Sequence, residues 1–229
     1  MSEPQFFETI SKSFVDVPVT EAGVDTAAFL EAAEQVVKIF GESSCSDRAD
    51  VAGLFGNPAF SVVQNDLTGN INKVRTYYLA NPTEAATLES LLALDKAQHP
   101  KQKDRVATDA LMWLLRGLKF TSMGLRNNLS APTEELSASF TKAYEGSLRK
   151  FHGMMVRPIF AVMSPRSSAR ASADLQLAMK ACPYRATFYP KLGEPQAEVL
   201  PKLEAWLAAL EAIVAREATV FKEGAYGEI

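Results

Sequence analysis

Helical periodicity runs through most of the chain and leaves little room for another fold class. Apolar side chains recur three and four residues apart, as in residues 25–40, where they share one side of a helix that ends before Gly41. No stretch of four to eight residues alternates apolar and polar side chains between turn residues, as a half-buried strand would. The sequence therefore predicts an all-α protein.

Proline, glycine and asparagine residues divide the chain into about eight predicted helices. Because proline lacks a backbone N–H and clashes with the preceding turn, Pro58 should kink or split the second of them. Long helices joined by short connections favour a two-layer sandwich around one core, so we expect residues 1–229 to form a single domain. The main predicted helices cover residues 25–40, 46–79, 83–96, 104–122, 133–164, 167–181 and 200–222.

Charge and cysteine content exclude several classes of function. A net charge of −3 provides no basic field for a nucleic-acid partner. Cys45 and Cys182 are too few for a disulfide framework and lack metal-ligand spacing. The first residues carry acids where a signal peptide would carry bases, and no run of 18 apolar residues occurs. We expect a cytoplasmic protein without metal or cofactor that contacts membranes only peripherally and transiently.

A polar stripe lies on the second predicted helix. Asp66, Asn70 and Lys73 are spaced i, i+4 and i+7, which places them within about 60° of one another. A carboxylate, an amide and an ammonium group can together bind several hydroxyl groups. The same spacing is also typical of a solvated helix face, so both interpretations stay open.

A second candidate face lies on the helix predicted over residues 104–122, where Trp113, Gly117 and Phe120 share one side. A tryptophan beside a small residue can offer its ring to a sugar, although such a residue is equally typical of a core. Arg116 is compatible with a phosphate ligand or with a surface charge.

His152 lies in the middle of a predicted helix with Val156 and Phe160 at i+4 and i+8. One polar group at the head of an apolar stripe suits a ligand with a polar head and an apolar tail, although a core histidine would also fit. Catalysis by His152 and Asp66 is disfavoured, since the chain has no G-x-S-x-G, H-E-x-x-H or phosphate-binding glycine motif. We expect no enzyme.

Together the three segments resemble the glycolipid transfer protein family in order and approximate separation. The resemblance rests on D-x-x-x-N-I-x-K from Asp66, on ATDALMWLLRGLKF and on AYEGSLRKFHGMMVRPIF, and it is strongest over residues 63–164. It implies a two-layer all-α sandwich that encloses a lipid, and non-enzymatic binding with intermembrane transfer or sensing of a glycosphingolipid.

The resemblance also implies roles for individual residues. Asp66 and His152 would bind the ceramide amide, and Asp66 would also bind a headgroup hydroxyl. Asn70 and Lys73 would hold the sugar, and Trp113 would stack against it. The candidate liners of the acyl-chain cavity are Phe120, Val156 and Phe160.

One departure from the family pattern is Met154, which stands where a tryptophan often follows the histidine by two positions. Membrane docking or headgroup contact would be weaker there, or supplied by Phe151. A basic stretch could meet anionic lipid headgroups or form a solvated face. It comprises Arg166, Arg170, Lys180 and Arg185.

Two alternatives to glycolipid binding remain at this point. The first is the ceramide-1-phosphate branch of the same fold, which replaces the sugar-binding region with cationic groups, whereas Asn70 and Trp113 are present here. The second is a helical protein-interaction module that binds no lipid. The retained asparagine and tryptophan favour the sugar.

Overall fold

The protein is seen in a computed structural model that describes residues 5–40, 54–55, 60–151, 180 and 182–229. These residues form helices and two isolated β-bridges but no strand, which confirms the all-α prediction for the described part of the chain. None of the described helices combines the length and apolar character needed to cross a bilayer. The helices are α1 (Phe6–Thr9), α2 (Thr26–Phe40), α3 (Ser61–Ala80), α4 (Leu88–Gln98), α5 (Val106–Ser130), α6 (Leu136–Gly146), α7 (Arg185–Leu192) and α8 (Gln196–Glu223).

Several predicted helices are confirmed with small changes at their ends. The first begins at Thr26, one residue after the predicted start, and α8 covers the whole predicted segment 200–222. The polar stripe lies on α3, which begins at Ser61 and therefore after the expected break at Pro58. Pro58 itself and most of residues 46–59 lie outside the described residues.

The prediction of one long helix over residues 133–164 is wrong. α6 ends at Gly146, and Ser147 has a non-helical backbone. The Ser147 hydroxyl donates to the carbonyl of Ala143 at 2.6 Å, which satisfies an acceptor that a continuing helix would have used. Helical residues resume at 149–151, while 152–164 and nearly all of the predicted helix 167–181 lie outside the described residues.

α5 is the central helix of the described fold, in contact with α3, α4, α6 and α8. It continues through Gly124 to Ser130, beyond the predicted end at residue 122. The ring of Phe140 on α6 fills the space that a side chain at Gly124 would need, 2.6 Å from an ideal Cβ position. Phe140 also packs edge-on against Phe120 at 5.5 Å, so the close approach of α6 to α5 depends on that glycine.

A buried carboxyl group lies between α8 and α4. Glu217 is completely buried, and its pKa is raised to about 8, first by burial and then by the neighbouring Glu89 carboxylate. Arg216 acts in the opposite direction and donates to Glu89 at 2.6 Å. Near neutral pH the native protein therefore favours a protonated Glu217.

Two glycines on long helices should respond oppositely to alanine. Nothing lies within 4 Å of an ideal Cβ at Gly69, so Gly69→Ala should raise the free energy of unfolding by about 0.5–1 kcal/mol. Gly124→Ala should lower it by roughly 1–3 kcal/mol because the new methyl group collides with Phe140. Denaturant unfolding of both variants tests the pair, and equal effects would contradict the packing described.

Glu217 should make the protein less stable as the pH rises. A carboxyl group with a raised native pKa binds more protons when folded, so stability falls between pH 4.5 and about 8. Glu217→Gln should flatten this slope and raise the unfolding temperature at pH 8, because no charge has to stay buried. The exposed Glu223→Gln on the same helix is the control; thermal unfolding from pH 4 to 9 with equal slopes would contradict the effect of burial.

Candidate functional site

The site is built where α3 lies against α5. Leu67 packs on Gly117, whose ideal Cβ would be 2.8 Å from the leucine Cδ2 atom, so the glycine permits close approach of the helices. Further along α3, the charge of Lys73 reaches Asp109 on α5, where it opposes the rise in pKa that burial causes. Later residues of α3 therefore lie beside earlier residues of α5, so the two helices run antiparallel. The polar stripe of α3 consequently faces the segment of α5 that precedes Gly117.

The stripe has one buried member and two exposed ones. Asn70 is 6% exposed, whereas Asp66 and Lys73 are open to solvent. Loss of hydration nevertheless raises the pKa of Asp66, while a hydrogen bond with Asn70 and the charge of Lys73 oppose the rise. The Asp66 carboxyl group is thus both open to water and partly desolvated by protein atoms.

The two tryptophans of the chain have different environments. Trp206 is 1% exposed and packs edge-on against Phe14 at 5.3 Å, which makes it a core residue. Trp113 is only partly buried, and its ring centre lies 6.5 Å from that of Phe151 in an edge-on arrangement. Trp113 lies one helical turn before Gly117, where Leu67 of α3 packs, and is therefore the tryptophan near the α3–α5 contact.

Arg116 fixes the tryptophan region to the C-terminal segment. Its Nε and Nη2 atoms donate to the carbonyl of Glu228 at 2.9 and 2.6 Å, and its guanidinium lies 4.5 Å from the Trp113 ring centre and 3.6 Å from that of Phe151. The interpretation of Arg116 as a surface charge is wrong, since the residue is 7% exposed. Burial lowers its pKa to about 10, so it stays charged at neutral pH.

Asp109 belongs to this site, although the sequence analysis did not select it. It lies four residues before Trp113 on the same face of α5 and is exposed. Loss of hydration raises its pKa, while the charges of Lys73 and Arg116 oppose the rise. The sequence did contain one signal for Asp109, its position four residues before the tryptophan. Its proximity to Lys73, however, depends on how α3 packs against α5.

Buried Asp95 holds the beginning of α5 in place. One of its oxygens accepts hydrogen bonds from the Thr108 N–H and hydroxyl at 2.8 and 2.7 Å, and the other contacts His99 Nδ1 at 2.8 Å. Arg105 adds hydrogen bonds to the carbonyls of His99 and Pro100. These contacts immediately precede Asp109 and fix the beginning of α5 relative to α4.

The structure places the remaining predicted residues as follows. Phe120 is buried against Phe140, so its assignment to an acyl-chain cavity stays a prediction. Arg185, expected in a basic surface stretch, instead donates to the carbonyl and side-chain oxygens of Asn128, both at 2.6 Å. Among the described residues no cluster of three potential metal ligands occurs. Outside the described residues lie His152, Met154, Val156, Phe160, Arg166 and Arg170.

Comparison with known proteins gives one consistent family. The family model for "Glycolipid transfer protein (GLTP)" matches residues 24–194. A glycolipid transfer protein of Aureobasidium melanogenum is 40% identical over 91% of this chain and 89% of that protein. One from Xenopus tropicalis is 34% identical over 76% of this chain and 73% of that protein.

Solved structures show the same architecture. The crystal structure of HET-C2, a fungal glycolipid transfer protein, aligns with a TM-score of 0.74 at 35% identity over 97% of both chains. FAPP2, described as selecting simple glycosphingolipids with the GLTP fold, aligns with a TM-score of 0.76 at 27% identity over 98% of both chains. Human ceramide-1-phosphate transfer protein aligns at 0.73, and its 14% identity supports the fold alone. The expected all-α fold is thereby confirmed.

Arg116→Lys should loosen the environment of Trp113. A lysine cannot donate through a planar fork or stack on two rings, so we expect unfolding to become easier by about 1–2 kcal/mol. With 5-fluorotryptophan labelling, the ¹⁹F resonance of Trp113 should shift and that of Trp206 should not. Arg126→Lys is the matched control, because Arg126 lies on the same helix but pairs with Glu211 on α8. An unmoved Trp113 resonance would show that Arg116 does not position the ring.

Proposed function

The chain belongs to the glycolipid transfer protein family, and on that premise we propose that it binds a glycosphingolipid and carries it between membranes without covalent chemistry. The observation that carries the proposal is that α3, with Asp66, Asn70 and Lys73, packs against the segment of α5 that contains Trp113. Asp66 and Asn70 are coupled by a hydrogen bond, and Lys73 lies close to both helices' carboxyl groups. An acceptor, an amide and a cation next to an aromatic ring together suit a sugar.

Each residue of the site has a separate proposed role. Asp66 accepts hydrogen bonds from a headgroup hydroxyl and from the ceramide amide N–H. Asn70 and Lys73 hold further hydroxyl groups, with Asn70 oriented by its contact with Asp66. Trp113, braced by Arg116, provides the ring on which the sugar stacks. His152, which lies outside the described residues, would donate to the amide carbonyl.

The ceramide chains need an apolar enclosure. Roughly 30 buried methylene groups at about 0.8 kcal/mol each correspond to about 24 kcal/mol relative to water. A carrier must therefore hide nearly all of the two chains. We propose that Phe120, which packs against Phe140, lines this enclosure together with Val156 and Phe160.

The wider proposal is one cytoplasmic domain over residues 1–229 with transient, peripheral membrane contact. Support for a single domain comes from HET-C2 and FAPP2, which align over 97% and 98% of the chain. The ceramide-1-phosphate alternative is disfavoured because Asn70 and Trp113 are retained and because Asp109 adds a carboxylate near Lys73, which repels a phosphate.

Asp66→Asn should reduce transfer of galactosylceramide between phosphatidylcholine vesicles at least about tenfold. The amide keeps the volume but loses charge-assisted hydrogen bonds worth about 1.5–3 kcal/mol. Trp113→Ala should cause a comparable loss. Asp104→Asn is the matched control, since Asp104 is exposed on the turn before α5. Unfolding temperatures near that of the wild type would show that each variant still folds.

Three results would contradict the proposal. A protein-interaction module predicts that the wild type transfers no lipid. An enzyme predicts that mass spectrometry of the recovered lipid finds a changed mass. The ceramide-1-phosphate alternative predicts faster transfer of that lipid than of galactosylceramide.

A further inference from the structure

Asp109 is available to a ligand at the headgroup site. It lies one helical turn before Trp113 on α5 and is open to solvent. The antiparallel packing fixed by Leu67 and Gly117 brings this turn of α5 alongside the Lys73 turn of α3. A headgroup bound between Trp113 and the α3 stripe would thus lie within reach of Asp109.

Two cations, Lys73 and Arg116, act on Asp109 through their charge. Lys73 interacts with two carboxyl groups, Asp66 on its own helix and Asp109 on α5. Arg116 interacts with Asp109 through its charge, but two of its donors are used by the Glu228 carbonyl and its faces by two aromatic rings. An anionic headgroup entering here would meet the Asp66 and Asp109 carboxyl groups near Lys73, and an arginine whose donors and faces are already in use.

We propose that Asp109 makes the headgroup site selective for uncharged sugars, by sharing Lys73 with Asp66 so that a sulfated or phosphorylated headgroup meets two carboxylates. The inference rests on the function proposed above and specifies its ligand class. A neutral sugar donates hydroxyl hydrogens to both carboxylates. A sulfate or phosphate ester has only acceptor oxygens in place of such a donor, and its charge is repelled.

The test compares two lipids that differ only in charge. Galactosylceramide and its 3-O-sulfated form, with the same acyl chain, are each supplied at low density in phosphatidylcholine vesicles, and transfer is measured for the wild type and for Asp109→Asn. Asparagine keeps the volume and removes the charge. We expect the ratio of sulfated to neutral transfer to rise about five- to tenfold, and the gain to shrink as salt is added.

The control is Asp104→Asn, which makes the same change of net charge at an exposed position before α5. Its transfer ratio should equal that of the wild type. Suppose that the wild type transfers galactosylceramide but Asp109→Asn has the same ratio of sulfated to neutral transfer. That result would overturn the role of Asp109 and leave the proposed function standing. Failure of the wild type to transfer galactosylceramide would instead overturn the proposed function itself.

Discussion

The close contact between α3 and α5 is the constraint on which the site depends. Leu67 lies where a side chain at position 117 would otherwise be, so the two helices come closer than they could with any residue larger than glycine there. The polar residues of α3 then stand beside the tryptophan turn of α5 rather than facing bulk solvent alone. On an isolated helix this stripe would be an ordinary solvated face. In the folded protein it borders the contact between α3 and α5.

At the contact between α3 and α5, one positive charge acts on several carboxyl groups instead of forming a single ion pair. Lys73 acts on carboxyl groups from both helices, and partial loss of hydration makes those carboxyl groups harder to ionise. Such an arrangement has the donors and acceptors that the proposed sugar ligand needs, with carboxyl groups close to the cation. It differs from a phosphate site, where cations outnumber carboxylates.

Contacts outside the candidate site hold its residues in place. Asp95 fixes the first turn of α5 through Thr108, while Arg116 ties the tryptophan turn to Glu228, 112 residues away in the sequence. Lys150 forms an ion pair with the Glu228 side chain, and Lys119 donates to the Ile229 carbonyl at 3.2 Å. The C-terminal segment therefore supports the aromatic face of the site.

The sequence by itself determined the all-α class, the helical faces and the family. Helical spacing is local, so the stripe of Asp66, Asn70 and Lys73 could be predicted, and so could the orientation of Trp113 relative to Phe120. Only the tertiary structure decided that Asp109 shares Lys73, that Arg116 is buried and that the helix predicted over residues 133–164 breaks at Ser147. The physical reason is that periodicity places residues on a face, whereas burial and charge coupling depend on which distant element packs against it.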